Sequence, residues 1–186
     1  MRCSNALRSS FVAFALAVTA ATSQAQSYSA TTTAGAIWNR PVSCATLSGV
    51  GTTVRYHAQA VYATTTGTYN FTSTATGVWD NFLALYSPTF SAAAPLTNCK
   101  IVNDDGPGGI GTSAFSFLMA ANTQFWLITT GFDTPDFGAF TNTVSGPSAV
   151  VFGTVPTGTV PEPSTYALML TGVVGLVGIT RRRKTR

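Results

Sequence analysis

Residues 54–62 read Val-Arg-Tyr-His-Ala-Gln-Ala-Val-Tyr, with Val54, Tyr56, Ala58, Ala60 and Tyr62 in one phase and Arg55, His57 and Gln59 in the other. Successive side chains of a strand point to opposite faces, so this alternation predicts a strand with its apolar phase buried and its polar phase exposed. Further strand segments are expected at 68–73, 82–87, 100–103, 114–119, 125–130, 139–144 and 149–152. Turn clusters separate them: Gly77, Ser87-Pro88, the run from Asp104 to Gly109, Ala121-Asn122, 131–138 and Ser145-Gly146-Pro147. No stretch between them carries a helical period. About eight short strands with regular turns predict an all-β fold, an antiparallel β-sandwich of jelly-roll-like type. The many threonines suit it, since a β-branched residue favours a strand and its hydroxyl tolerates solvent. An O-glycosylated, mucin-like segment is the alternative. The interleaved Phe, Tyr and Trp weigh against disorder.

The formal net charge of +4 belongs to the two ends of the chain. Arg2 and Arg8 lie in the first ten residues, and Arg181, Arg182, Arg183, Lys184 and Arg186 in the last six. Between residues 26 and 160 the bases Arg40, Arg55 and Lys100 face Asp80, Asp104, Asp105, Asp133 and Asp136, a net of −2. That segment has no basic patch to neutralise phosphates, which excludes nucleic acid as a partner.

The N-terminus has the order of a secretory signal peptide. Arg2 and Arg8 precede the apolar run 11–21, and Ser23-Gln24-Ala25 offers a small-x-small cleavage site. Cleavage is expected after Ala25, with Ala21 and Ala20 as alternatives. The apolar run is about half the ~20 residues that span a bilayer. Residues 1–25 are thus the signal peptide, 26–153 the exported domain, 154–160 a linker and 161–186 a sorting segment. Signal peptidase and the Sec machinery are the implied partners. Residues 26–33 read as a loose lead-in, and Trp38 is expected to pack on the domain.

Removal of the signal leaves Cys44 and Cys99. In an oxidising compartment two cysteines pair, and the resulting loop of about 55 residues stabilises by roughly 3–4 kcal/mol in the chain-entropy model. Two separate buried thiols are the alternative.

Enzymatic constellations are thin. His57, the single histidine, reads as an exposed strand residue with no nucleophile or orienting carboxylate assigned to it. Asp133 and Asp136 flank Pro135 between Gly131 and Gly138 and suit turn chemistry. The chain is therefore expected not to be an enzyme. Asp80, Asp104 and Asp105, with Asn81 and Asn103, offer the oxygen donors that calcium takes. Their alternative role is to cap turns at strand ends.

Residues 66–145 resemble the bacterial pre-peptidase C-terminal domain, a β-sandwich found beside secreted proteases. The resemblance rests on Gly67-Thr68-Tyr69, Asp80 before Leu83-Ala84-Leu85-Tyr86, Asn103-Asp104-Asp105, Phe125-Trp126-Leu127 and Gly138-Ala139-Phe140. Phe140 stands where Tyr is more usual. Some relatives bind calcium or matrix polymers, which implies a carbohydrate- or matrix-binding module, calcium-dependent through Asp80, Asp104 and Asp105.

The C-terminus resembles the PEP-CTERM sorting signal of Gram-negative bacteria. It has Pro161-Glu162-Pro163, an apolar run, and the basic stop Arg181-Arg182-Arg183-Lys184. The resemblance implies an exosortase-type processing peptidase that recognises Pro161, Glu162 and Pro163, and association with exopolysaccharide and biofilm. The two prolines hold the motif extended, as a peptidase groove requires. A single transmembrane helix is expected at 165–180, anchoring the chain in the inner membrane before processing and release to the cell surface or matrix. That helix would rise only about 24 Å at ~1.5 Å per residue, against a ~30 Å hydrocarbon core. A plain tail anchor without processing is the alternative.

Overall fold

The computed structural model describes residues 23–156. The chain divides into two compact units, Met1–Thr154 and Val155–Arg186, and every described strand lies in the first. The elements are β1 (Gln24–Thr31), β2 (Ile37–Trp38), β3 (Pro41–Ser43), β4 (Thr46–Leu47), β5 (Val54–Ala63), β6 (Gly67–Thr76), β7 (Asn81–Tyr86), β8 (Cys99–Asn103), β9 (Thr112–Met119), β10 (Phe125–Gly131), β11 (Ala139–Gly146) and β12 (Val150–Phe152).

One sheet has the order β1-β11-β6-β9 and the other β12-β5-β10-β7-β8, with β2 added to β5. The pairings are antiparallel. From β5 to β12 the chain changes sheets at every connection except the one from β7 to β8. That is the wrapping of a jelly roll, two packed sheets built from Greek keys.

The expected C-terminal transmembrane helix is corrected here, and inner-membrane anchoring with it. The described residues contain no helix, and none long and apolar enough to cross a membrane. Residues 165–180 lie outside the described residues, as do residues 1–22 of the expected signal peptide, the sorting motif and the basic stop.

Two cores hold the domain. Between the sheets Tyr69, Phe71, Phe115, Met119 and Val144 pack on Val61, Ala63, Leu83, Leu85, Phe125 and Leu127. On the far side of the second sheet Trp38, Val54, Phe82, Ala84, Tyr86 and Ile128 form the other core, with Tyr56 and Phe90 packed against it. The second sheet is therefore covered on both faces. This explains β7, whose residues Asn81–Tyr86 are all buried and which reads as a continuous run instead of an alternation.

It also corrects the reading of β5. Its apolar phase faces the second core, as Val54, Tyr56 and Ala58 show. The phase of Arg55, His57 and Gln59 continues into Val61 and Ala63 and so faces the other sheet. His57 stands 5.6 Å from the Phe140 ring and 6.0 Å from that of Tyr28, centroid to centroid, so it is not an exposed strand histidine.

The expected loose lead-in is also corrected. Residues 24–31 pair with β11 in register, Gln24 with Gly146 through Thr31 with Ala139. Ser27 and Ser29 bond the hydroxyls of Thr143 and Thr141 at 2.8 Å each. Cutting after Ala25 would leave Gln26 to Thr31 of this edge strand in place. Covering the second core, the segment between β2 and β4 is held by a disulfide between Cys44 and Cys99, with Cα atoms 5.3 Å apart.

Candidate functional site

The loops 77–80, 104–111 and 132–138 meet at one end of the sandwich because strand register brings them there. Asn81 pairs with Gly131, and Leu83 with Asn103. Asp136 ties two of these loops, its Oδ1 accepting from Asp80 N at 3.2 Å and its Oδ2 from Asp133 N at 3.0 Å. Phe132 N donates to Asp80 O at 2.9 Å. Beneath them Ser113 Oγ lies 2.9 Å from Asn81 O and 2.5 Å from Asp104 O. Asn81 Nδ2 donates to Ser73 Oγ at 2.8 Å. Trp79 closes the end with its indole N–H on Ala139 O, and Gly138 is required there: a Cβ would stand 2.6 Å from Trp79 Nε1.

Arg40 enters this end from the covering segment and is fully buried. Its guanidinium carbon sits 4.1 Å from the Phe82 ring centroid and 4.8 Å from that of Phe132. Nε donates to Phe132 O at 2.9 Å and Nη1 to Pro41 O at 3.2 Å. Gly51 makes room, since a Cβ there would meet Arg40 Nε at 2.5 Å. The remaining nitrogen, Nη2, is buried without a partner among the described residues, and so are Asp80 Oδ1 and Asp104 Oδ1. Burial lowers the Arg40 guanidinium, while Asp104, Asp80, Asp133 and Asp136 pull it back up. Four aspartates of the exported domain thus gather around one arginine.

Of the expected site residues, Asp80 and Asp104 come together and Asp105 stays exposed beside them. Arg40 is the member that sequence reasoning missed, while Asp133 and Asp136, read as turn residues, join the same end, with Asp136 bonding the backbone of Asp80 and Asp133. The scarcity of charge between residues 26 and 160 was the available signal: so few charged side chains invite clustering. Among the described residues no three His, Cys, Asp or Glu side chains are grouped to hold a metal, and the charge of Arg40 is felt by Asp80 and Asp104.

Two half-buried carboxylates, each with one oxygen buried and unpartnered among the described residues, favour a proton. Burial pushes the Asp104 carboxyl up to about 6, with Asp80, Asp105 and Asp136 adding to the rise and Arg40 opposing it. Burial likewise raises Asp80, against the opposing Gly111 N–H and Arg40. Because the folded value of Asp104 lies above its ordinary 3.8, folding favours the neutral form. Its contribution is greatest below the unfolded value, declines as pH rises from 3.8 through about 6, and is lost above that. The melting temperature is therefore expected to be higher at pH 5 than at pH 7.5. Asp104→Asn should flatten that slope and raise the melting temperature at pH 7.5, as a pH series by calorimetry would show. An unchanged slope would place the proton elsewhere.

A second polar cluster lies between the sheets. Asn142 Nδ2 donates to Tyr28 Oη at 2.8 Å and to Thr129 Oγ1 at 2.7 Å, with His57 beside Thr129 in register. His57 Nδ1 and Asn142 Oδ1 are buried without partners among the described residues, and burial lowers the histidine. With aromatic rings as its neighbours, this imidazole has the surroundings of a packed core residue.

Residues 159–184 match the model of the PEP-CTERM protein-sorting motif. No match was found among curated proteins. A solved structure, that of PliG from Aeromonas hydrophila, a periplasmic lysozyme inhibitor of g-type lysozyme, is similar over 67% of this chain and 86% of its own. The two share 13% identity at a TM-score of 0.36, a level that carries no argument. These comparisons support no specific pre-peptidase domain over residues 66–145. The chain carries a PEP-CTERM protein-sorting motif near its C-terminus.

Proposed function

We propose that this is an exported, non-catalytic protein of the cell surface or extracellular matrix, delivered through its C-terminal sorting motif. The observation that carries the reading is the motif match at 159–184. In this reading the Sec machinery exports the chain, signal peptidase removes its leader, and an exosortase-type peptidase recognises Pro161-Glu162-Pro163. The domain then works in an exopolysaccharide matrix as a binding module. A disulfide in a small all-β domain supports an oxidising destination. The lone histidine packed among Tyr28 and Phe140 supports a role without catalysis.

Glu162→Ala tests the sorting step. The variant is expected to accumulate as a full-length, cell-associated form while the processed form disappears from the exported fraction, as fractionation and immunoblotting would show. Processing and release at the wild-type level would contradict the reading.

A further inference from the structure

The two edges of the sheet β1-β11-β6-β9 differ. At β9 the chain covers its own edge: Ala114 N donates to Asn103 Oδ1 at 2.8 Å, and Thr112 O accepts from Gly106 N at 2.6 Å. At β1, residues 26–31 pair their backbone with β11 alone among the described residues. In an antiparallel pair every second residue turns its N–H and C=O away from the partner strand, so β1 presents a row of unpaired backbone groups. In the other sheet β12 is only three residues long, and β8 is joined at Cys99 to the covering segment.

Sheet edges in natural proteins are blunted by charge, proline, bulges or shortness. β1 has none of these. Gln26-Ser27-Tyr28-Ser29-Ala30-Thr31 carries no charge and no proline, and its pairing with β11 runs without a shift in register. The strand is also held extended: the Tyr28 ring lies 4.7 Å from that of Phe152, centroid to centroid, and Tyr28 Oη accepts from Asn142 Nδ2. An edge fixed in this way loses little freedom when it is paired.

An antiparallel copy of the same strand fits it. Pairing about a two-fold axis normal to the sheet sets residues of one phase opposite each other, so the exposed Ser27, Ser29 and Thr31 meet the same row of a second copy. Such hydroxyl pairs are favourable, and the row already pairs so within the chain, Ser27 with Thr143 and Ser29 with Thr141. The uncharged strand sets no like charges against each other. Removal of the leader after Ala25 would place the chain end at the start of this edge, with nothing upstream to block it.

We propose that β1 is a docking edge for a second copy of this chain, giving a two-fold dimer with the continuous sheet β9-β6-β11-β1-β1-β11-β6-β9. Pairing uses the open edge of both copies and therefore closes at the dimer. A single strand a side is far below the about 20–30 residues of a standard interface, so the dimer belongs to the weak class that forms as concentration rises. The inference goes beyond the sorting reading and takes from it only the removal of the leader, which the mass of the exported protein reads separately.

Sedimentation equilibrium of the exported protein from micromolar to millimolar concentration tests it. The average mass is expected to climb toward twice the monomer and no further. Ser27→Lys with Ser29→Lys sets lysines against each other across the two-fold and should weaken the dimer by about tenfold. Thr72→Lys with Thr74→Lys adds the same charge to exposed positions of β6, away from the edge, and should leave association unchanged. Amide hydrogen exchange on the unmutated protein removes any doubt about folding of the variants: alternate amides of β1 should gain protection as concentration rises. A monomer throughout the range, growth beyond the dimer, equal weakening by both pairs of substitutions, or protection gained elsewhere than β1 would overturn the proposal.

Discussion

Arg40→Met is expected to lower the stability of the domain by about 2–4 kcal/mol at pH 7.5, since it removes the hydrogen bonds and ring contacts of a fully buried cation. That is a large share of the ~5–15 kcal/mol that a domain commands. The residue is fully buried, stacked between Phe82 and Phe132, and bonded to the carbonyls of Phe132 and Pro41. Methionine keeps much of the stem but leaves Asp80 and Asp104 without the guanidinium that opposes their repulsion. The loss should shrink toward pH 5, where the Asp104 carboxyl, at about 6, takes up a proton. Urea denaturation at the two pH values measures both effects. A double-mutant cycle with Asp104→Asn should show coupling, since groups that share a network are not additive. A loss below about 1 kcal/mol at pH 7.5 would mean that Arg40 packs without organising the aspartates.

The second large effect is expected at the disulfide. Replacing Cys44 and Cys99 together by alanine should cost roughly 3–4 kcal/mol, because the bond closes a loop with a sequence separation of 55. The consequence is local as well. Cys99 packs against the outer core, and the segment it secures lays Trp38 against Tyr56, Tyr86 and Phe90, with ring centroids 5.4–6.4 Å away. Loosening that cover should shift tryptophan emission to the red before the domain unfolds. The core between the sheets does not include this segment and should hold longer. Unfolding of both cores in one step at an unchanged denaturant midpoint would contradict this role for the disulfide.

The parts of the fold that were legible are those where local pattern and burial agree. In β6, Tyr69, Phe71 and Ser73 point inward while Thr68, Asn70, Thr72 and Thr74 face solvent, so alternation alone locates the strand. β5 was locatable but its faces were not assignable, because a sheet covered on both sides buries both phases. In residues 37–54 only Trp38 was expected to pack on the domain, and no alternation there marks the segment as a second cover. β1 escaped notice because an edge strand needs few apolar residues, and Tyr28 and Ala30 are its inward contribution. At the aspartate end, sequence reasoning singled out Asp80 and Asp104, as calcium donors or as caps of turns at strand ends. Arg40, whose charge both of them feel, bonds Phe132 across a separation of 92 residues, and only the fold brings it there. The polar cluster of Tyr28, Thr129 and Asn142 is equally non-local, assembled from three strands of two sheets.

Export and sorting through the C-terminal motif would leave the disulfide-bonded sandwich as the working part of the chain. Intact-mass spectrometry of the exported protein, without and with reduction, reads both ends and the disulfide together. The expected species begins at Gln26, has lost residues from the C-terminal side of the sorting motif, and gains the mass of two hydrogens on reduction as the Cys44–Cys99 bond opens. An exported species that still ends at Arg186 would contradict processing at the motif.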